Sequence, residues 1–490
     1  MARFPLAFPP GVYRNGTDFQ TSGRYADASL VRWYGSALGP VGGWRQWTAT
    51  IATGIARACL PWKDNSGNSW FAVATESKLY VASILQVVSD ITPAGFTVGH
   101  ADASAAGGFG SGLFGTGFFG TPRPGTTQIT DATQCSLDTF GQNLIFLSPN
   151  DGKLYKWTLN PASVATVNAA APTGAGALVV TAEGFIFLLG TTDPRTLSWC
   201  DQRDDTVWTS SATNQAGNFT LQTQGRLMCG KNIQGATLLL TDQDAWTATY
   251  VPNNNVYSFK QKGVACGAIS RQCMVGFNMQ AAWMSPSGFW LYNGYVQPIP
   301  CDVLDYVQRD INMVQASKIF GTHISQYHEI EWRYCSASSS EIDRCVVWNY
   351  KDNTWNIGRA NRTCGADRGA FQYPIMVDST GKIYDHENGL NYGGAMPYAT
   401  TGAITLGKGD NVMHVTGLYP DDITVGDVTA TFLVKNNRDD AYVSFGPYIC
   451  SSQTDLRFVG RQIEVTFTGA NLADWRVGTP ALDLEVGGGR

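Results

Sequence analysis

The chain has few charged residues and no long apolar run. Only 15% of its 490 residues are Asp, Glu, Lys or Arg, and its net charge is −5 at pH 7. No run of five or more basic residues occurs, so the sequence has no overall basic footprint for nucleic acid. No apolar stretch reaches the roughly 18 residues that a transmembrane helix needs, and residues 1–5 lack a hydrophobic signal region. We therefore expect a soluble product that is made in the cytoplasm.

Paired cysteines and catalytic motifs are also missing. The eleven cysteines have no CxxC spacing, which favours reduced, buried thiols over a disulfide or metal framework. Nucleophile-elbow, HExxH, phosphate-loop and dinucleotide-binding patterns do not occur in their required context. His323 and His328 stand five residues apart. On one strand this spacing would point the two rings to opposite sides, so the pair is a poor metal site.

Carboxylate pairs remain the one enzymatic possibility. Pairs at 204–205, 421–422 and 439–440 could serve glycoside hydrolysis, in which two carboxylates flank the bond. They lie in polar segments, where solvated acids are the ordinary outcome. Residues 351–355 are similar to the Asp-box turn of sialidase propellers, but Asn353 replaces its glycine and there is one copy. We expect no enzymatic activity, no catalytic residues, no metal and no cofactor.

Aromatic residues (12%) and glycine (54 residues) are abundant instead. Four segments echo one another, and each passes from a turn-forming cluster into an alternating aliphatic and aromatic run. They are residues 77–81, 152–157, 288–294 and 381–385. An apolar run before each turn predicts a β-hairpin. Hairpins repeated over hundreds of residues predict a mainly β fold, specifically an irregular β-propeller with loop insertions.

Two segments interrupt the hairpins. Residues 101–127 are rich in Phe and Gly, so they predict a long loop within the β array. The rings of that segment need partners to bury them, which argues against plain disorder. Apolar residues at helical spacing predict one short helix near 302–314, with Cys301-Asp302 as its N-cap.

Changes of composition divide the chain into three parts. Residues 1–50 contain turn residues and short aromatic strands, and they predict either a first propeller strand or an extended arm for a neighbouring subunit. Residues 51–395 predict the propeller. Residues 396–490 alternate Thr and Val with polar residues, which predicts a C-terminal β-sandwich.

One region resembles a known family. Residues 327–350, with a Ser-rich loop between two aromatic strands, and residues 353–358 (NTWNIG) are similar to tail nozzle or tail hub proteins of short-tailed bacteriophages. Residues 30–34, 42–45, 288–310 and 474–480 also resemble this family, and the resemblance is sharpest over about residues 285–360. Cys335 and Cys345 stand where that family is expected to have Pro-like or Tyr-like residues, a difference that concerns packing.

The resemblance implies a structural virion protein. Such a protein forms a homohexameric ring below the tail adaptor proteins, near the tail fibres or spikes, and conducts and gates DNA during ejection. The genomic DNA would pass without sequence-specific binding, and a net acidic wall suits this because each neutralised phosphate adds affinity and friction. The resting particle would contact no membrane. The protein would be made in the host cytoplasm and end in the virion tail.

In that setting the Phe/Gly-rich segment is a candidate gate or subunit contact, through Phe109, Phe114, Phe118 and Phe119. The alternative is a receptor-binding or glycan-binding propeller of a tail fibre, with exposed Trp and Tyr side chains as sugar platforms. A glycosidase would need paired carboxylates at one mouth of the propeller, which sequence cannot place.

Overall fold

A ring of seven four-stranded antiparallel sheets forms most of the protein. The computed structural model describes residues 2–17, 20–106, 128–252, 255–406, 411–421, 427–437, 439–450, 452–470 and 472–487. Within these residues, the first strands of successive sheets contact one another around a closed circle. The sheets are therefore the blades of a β-propeller, as the echoed hairpins predict.

Each blade runs from an innermost strand at the axis to an outermost strand at the rim. In that order, blade 1 has Ala56–Lys63, Ser69–Thr75, Leu79–Ser83 and Val88–Asp90, and blade 2 has Ser136–Phe140, Asn143–Leu147, Leu154–Trp157 and Thr166–Val167. Blade 3 has Ala177–Val180, Ile186–Leu189, Thr196–Trp199 and Gly217–Thr220. Blade 4 has Leu227–Ile233, Ala236–Thr241, Ala245–Tyr250 and Tyr257–Gly263. Blade 5 has Met274–Phe277, Gln280–Ser285, Gly288–Tyr292 and Val296–Ile299. Blade 6 has Phe320–Ile324, Glu329–Tyr334, Arg344–Asn349 and Thr354–Arg359, and blade 7 has Cys364–Ala366, Ile375–Val377, Lys382–His386 and Trp44–Thr50.

The second strand of most blades is a continuous apolar run because both of its faces are covered. Ile186–Leu189 is buried throughout, and Asn143–Leu147 is buried from its second residue onward. Residues from neighbouring blades share a hydrophobic cluster, for example Ala72 of blade 1 with Phe146 of blade 2. Such two-sided burial suits Val, Ile, Leu and Phe on pleated strands. The blades are thus held together mainly by apolar burial between sheets.

The ring is closed by a strand from the N-terminal part of the chain. Trp44–Thr50 pairs with Lys382–His386, so that His386 lies opposite Trp44 and Asp385 lies opposite Arg45. Blade 7 therefore combines strands that are more than 300 residues apart in sequence. The N-terminal strand acts as the clasp of the propeller, because without it blade 7 would lack its outer strand.

A buried histidine beside this clasp makes the stability sensitive to pH. His386 and Arg362 are 7% and 5% exposed, and Arg362 Nε donates a 2.8 Å hydrogen bond to His386 Nε2. Burial, with Arg362 and Arg333 nearby, holds the pKa of His386 well below its ordinary value. The imidazole is consequently neutral in the folded protein. The unfolded chain binds that proton below a pH of about 6.5, so acid favours unfolding.

We expect the melting temperature to fall as the pH is lowered from about 7 to 5, at a cost of up to about 1.4 kcal/mol per pH unit for this group. Burial lowers the pKa of His323 as well, so only the difference between variants isolates His386. The substitution His386→Gln keeps an acceptor for Arg362 and should flatten the pH profile measured by calorimetry. His414→Gln, at an exposed position, should leave the profile unchanged. A His386→Gln profile parallel to that of the unsubstituted protein would contradict the assignment.

The second unit is a β-sandwich built from both ends of the chain. One sheet has the order Ala2–Pro5, Ala481–Val486, Met413–Tyr419 and Thr454–Gly460. The other has the order Tyr25–Ser29, Tyr398–Thr401, Gln462–Gly469, Val428–Lys435 and Val443–Ile449. Alternate residues of Gln462–Gly469 are buried, as expected for a strand with one covered face. A short hairpin, Val31–Tyr34 with Ala37–Pro40, follows the second N-terminal strand.

The expected helix is present but shorter, and its cap differs. The α-helix is Leu304–Asp310, followed by 3₁₀ turns at Met313–Lys318 and Ser325–Tyr327. The N-cap is Val303, without a side-chain bond, so the expectation of an Asp302 cap was wrong. The Asp302 carboxylate instead pairs with Arg24 at 3.2 Å.

All eleven cysteines are free thiols, and nine of them are buried, in agreement with the sequence. No helix among the described residues has the length and apolarity that crossing a bilayer requires.

Candidate functional site at the upper face of the propeller

The segments that interrupt the repeated hairpins lie on one face of the propeller. In a four-stranded antiparallel blade, the turn between the second and third strands lies on the same side as the connection to the next blade. We call this side the upper face. It carries all four echoed turns, which join the second and third strands of blades 1, 2, 5 and 7. It also carries the helical connection 300–319 and the Ser-rich turn 335–343.

The Phe/Gly-rich segment is mounted on this face. Phe109, Phe114, Phe118 and Phe119 lie outside the described residues. The described residues on either side of 107–127 form a two-stranded antiparallel stem between blades 1 and 2. Ser104–Ala106 pairs with Gln128–Thr130, with Ala105 opposite Ile129.

The base of the stem is clamped to the connection between blades 5 and 6. Gln315 Oε1 accepts a hydrogen bond from the Ala103 amide at 3.2 Å, and Gln315 Nε2 donates to the Ala103 carbonyl at 3.0 Å. The Ala132 amide donates to Ser317 Oγ at 3.0 Å. Gln315 is 6% exposed. The oxygen and the nitrogen of its side-chain amide both bond to the backbone of a single residue. These two hydrogen bonds satisfy the amide and the carbonyl of Ala103, which a neighbouring strand would otherwise have to do.

Four charged side chains lie beneath the stem, and we call them the upper-face cluster: Arg57, Asp102, Lys318 and Glu341. Arg57 is 1% exposed and donates to both Glu341 oxygens at 2.7 Å. It also donates to the Ala101 carbonyl at 3.0 Å. Lys318 is fully buried and contacts the Asp102 carboxylate, with Glu341 Oε2 at 3.6 Å. The cluster joins blade 1, the stem, the connection 300–319 and the Ser-rich turn.

Charge in this cluster is balanced, with two cations and two carboxylates. Burial opposes ionisation of Glu341, but the hydrogen bonds and positive charge of Arg57 outweigh it, so the pKa of Glu341 lies below its ordinary value. Glu341 therefore remains a carboxylate, and each cation keeps a counter-charge. A bidentate, buried pair of this kind holds two segments at a defined angle.

Hydrogen bonds beside the cluster cross the propeller axis. Gln134 Nε2 donates to the Ile319 carbonyl at 3.1 Å and Gln134 Oε1 accepts from the Arg271 amide at 3.2 Å. Gln272 Nε2 donates to the Cys135 carbonyl at 2.7 Å. Residues 134–135 lead into blade 2, whereas residues 271–272 and 319 lead into blades 5 and 6. Because those blades are not neighbours of blade 2 in the ring, these bonds close the axial opening at the upper face.

A second buried charge cluster joins the propeller to the sandwich. Arg32 is 4% exposed and binds both oxygens of Glu329 at 2.7 and 2.6 Å. It also binds Glu387 at 2.9 and 3.2 Å, and its guanidinium carbon lies 3.5 Å from the centre of the Tyr327 ring. Nearby, Leu38 bridges to Val477. The hairpin after the second N-terminal strand is thus fastened to blades 6 and 7 and to the C-terminal segment.

Where the acidic pairs lie within the described residues, their carboxylates make ion pairs and hydrogen bonds with nearby groups. Asp205 binds Lys156 at 2.9 Å, and Asp204 accepts from the Thr206 amide at 2.9 Å. Asp440 accepts from the Asn437 amide at 2.8 Å. Within the described ranges, no group of three His, Cys, Asp or Glu side chains is placed to hold a metal ion.

The two histidines do not point to opposite sides, so that expectation was wrong. His323 lies in the first strand of blade 6, but His328 lies outside any strand, in left-handed backbone with φ of 59° after the 3₁₀ turn. The turn reverses the chain direction. Both rings consequently meet the Tyr350 hydroxyl.

Sequence reasoning missed both charge clusters, although the upper-face cluster could have been suspected from the sequence. Arg57 stands within the apolar run 55–60, and Glu341 is the first acidic residue after the serines at 338–340. A charge inside an apolar strand requires a partner. Its partner could not be identified, because Arg57 and Glu341 are 284 residues apart.

Comparisons with known proteins bear on the fold. No family model and no curated protein sequence matches the chain. Among solved structures, virginiamycin B lyase from Staphylococcus aureus is similar, with a TM-score of 0.45 and 7% identity, covering 70% of this chain and 98% of that one. The Pan2 WD40 domain of Neurospora crassa has a TM-score of 0.39 and 9% identity, covering 71% and 94%. YCF48 bound to D1 peptide has a TM-score of 0.38 and 8% identity, covering 71% and 97%.

Proposed function

We propose that the chain is a structural, ring-forming subunit of a phage-type tail, a nozzle or hub that conducts DNA. It acts without catalysis, and its sandwich and propeller form one rigid unit. Copies of the chain assemble as a homohexamer on tail adaptor proteins. DNA passes between subunits and not along the propeller axis, since that axis is closed at the upper face.

One observation carries this proposal. Segments that resemble the nozzle family are scattered in sequence, but several of them meet at one place. Arg32 of residues 30–34 binds Glu329 of residues 327–350, and Asn356 of residues 353–358 donates to the Val31 carbonyl at 2.7 Å. Arg476 of residues 474–480 stacks on the Tyr34 ring at 4.0 Å. A family signature spread over 450 residues is expected to be contiguous in space if it describes one structural unit.

The upper face supplies the contact region in this proposal. The pair of Arg57 with Glu341 fastens the Ser-rich turn to blade 1, and the pair of the buried Lys318 with the exposed Asp102 fastens the stem to the connection 300–319. A load on the segment between residues 106 and 128 therefore reaches three blades. Such anchoring suits a gate or a subunit contact. The four phenylalanines remain our candidates for that role.

A glycan-binding propeller is the second candidate. A cavity of about 320 Å³ is lined by Trp33, Val347, Asp352 and Thr354. An indole ring beside a carboxylate and a hydroxyl suits a sugar, which needs an apolar platform and polar partners.

Assembly distinguishes the two candidates. Purified chain mixed with its tail adaptor proteins and imaged in negative stain should give rings with six-fold symmetry. A chain that stays monomeric or trimeric with the adaptors, and binds a glycan array in a manner lost with Trp33→Ala, would contradict the nozzle and support the glycan-binding propeller.

A further inference from the structure

Three side chains of blade 6 meet on the face opposite the upper face. His323 Nε2 lies 3.2 Å from the Tyr350 hydroxyl oxygen, and His328 Nδ1 lies 3.2 Å from the same atom. His323 lies near the end of the first strand, His328 follows the 3₁₀ turn, and Tyr350 directly follows Arg344–Asn349. One imidazole nitrogen of each histidine thus lies within hydrogen-bonding distance of the same phenol oxygen.

These two distances are compatible with two edges of a metal coordination tetrahedron. Zinc–nitrogen and zinc–oxygen bonds of about 2.0–2.1 Å at tetrahedral angles place neighbouring ligand atoms roughly 3.3–3.4 Å apart. Both measured separations, at 3.2 Å, are close to that edge. Imidazole nitrogens are ligands that zinc, copper and nickel share, and an ionised phenol adds a hard, negatively charged oxygen.

The surroundings orient one ligand as a metal site requires. Asp367 Oδ2 lies 3.4 Å from His323 Nδ1. A carboxylate there favours the tautomer with its proton on Nδ1, which leaves the Nε2 lone pair directed at Tyr350. Asp367 is itself fixed by the Ser325 amide at 3.2 and 3.3 Å. Carboxylate–histidine–metal arrangements of this kind are common in metal sites.

The Tyr350 ring is held in place as well. The centre of the Phe277 ring of blade 5 lies 4.8 Å from that of Tyr350. Blade 5 therefore supports the phenol while blade 7 supplies Asp367. His328 is exposed, so one side of the cluster faces solvent.

We propose that His323, His328 and Tyr350 form a three-ligand site for a divalent transition-metal ion of the zinc or copper class, with Asp367 orienting His323. The fourth position faces solvent and is open to water or to a ligand from a partner. The site is independent of the ring proposed above.

The test is a calorimetric titration of the full chain with ZnCl₂ and, separately, with CuCl₂. We expect one ion per chain. Tyr350→Phe keeps the ring packing, and His328→Asn keeps a residue that tolerates left-handed backbone. Each should weaken binding at least tenfold, and Asp367→Asn should weaken it about 10-fold to 100-fold.

The control is His414→Gln, which removes an exposed histidine of the sandwich and should bind as the unsubstituted chain does. All variants retain the eleven cysteines, so binding by thiols would be equal in each. A phenolate-to-copper charge-transfer band that disappears in Tyr350→Phe would support the site. Absence of binding by both ions, or equal binding by the Tyr350→Phe and His328→Asn variants and the unsubstituted chain, would overturn it.

Discussion

Replacing Glu341 by glutamine is expected to lower the free energy of unfolding by about 3–5 kcal/mol, because it leaves buried cations without their shared counter-charge. Arg57 and Lys318 are 1% and 0% exposed. Glu341 is the sole carboxylate that Arg57 contacts among the described residues. The measurement is urea unfolding followed by tryptophan fluorescence, with hydrogen exchange at the base of the stem, residues 101–104, as a local readout.

Two further variants make this test specific. Asp305→Asn removes an exposed pair with Arg309 at 3.1 Å and should cost only a few tenths of a kcal/mol. Arg57→Met combined with Glu341→Met removes both charges of one pair, and it should be less destabilising than Glu341→Gln alone. A loss below about 1 kcal/mol for Glu341→Gln would contradict the role of Glu341 as the counter-charge of the buried cations.

Acid should reproduce the effect of the substitution. Since the pKa of Glu341 lies below its ordinary value in the folded protein, the unfolded chain takes up the proton first as the pH falls. The stabilisation is complete above the unfolded pKa of about 4.3 and is lost as the pH falls through the folded pKa. The Glu341→Gln variant should lack this part of the acid transition.

Local pattern predicted the blades well because each blade is a local structure. The pair of strands around the turn at Gly152 could be read from alternation and turn residues, and so could the pair around Gly381. Gly381 has a φ of +80°, and a Cβ atom there would lie 2.3 Å from the Ile51 carbonyl oxygen. A turn that needs glycine therefore left a clear mark in the sequence.

Pairing between strands that are far apart in sequence could not be predicted in this way. Trp44–Thr50 closes blade 7 against a strand more than 300 residues away, and Ala2–Pro5 completes a sheet with Ala481–Val486. Any alternating strand could satisfy either edge by pattern alone. The number of blades could not be predicted for a related reason, since blades 3, 4 and 6 lack the echoed turn.

The candidate site was likewise predicted only in part. The Phe/Gly-rich segment was visible because of its composition, whereas its anchors were not. Gln315 directly follows the expected helix near 302–314, yet it is the residue that clamps Ala103. Tertiary contacts between 102 and 318, or between 57 and 341, depend on how seven sheets close into a ring. Neither residue spacing nor periodicity carries that information.

Replacing Arg32 by methionine is the second substitution with a large expected effect. Arg32 is the common partner of Glu329 and Glu387, which are 8% and 9% exposed. Without it, two buried carboxylates face each other with no cation between them. We expect a loss of about 3–5 kcal/mol at pH 7. The N-terminal hairpin should then exchange its amide hydrogens faster than blades 2 and 3.

The pH dependence of this loss identifies its cause. Burial already raises the pKa of Glu329, even with Arg32 present, and removal of the guanidinium must raise it further. A carboxyl whose pKa is raised in the folded state stabilises the fold when protonated, and this stability is lost as the pH rises through the folded pKa. The Arg32→Met variant should therefore be closer in stability to the unsubstituted protein at pH 5 than at pH 7. Arg3→Met, which removes an exposed arginine paired with Asp483 at 3.6 Å, should cost under about 1 kcal/mol at both pH values. An Arg32→Met loss that is equal at pH 5 and pH 7 would assign the effect to packing, because a loss caused by charge depends on pH.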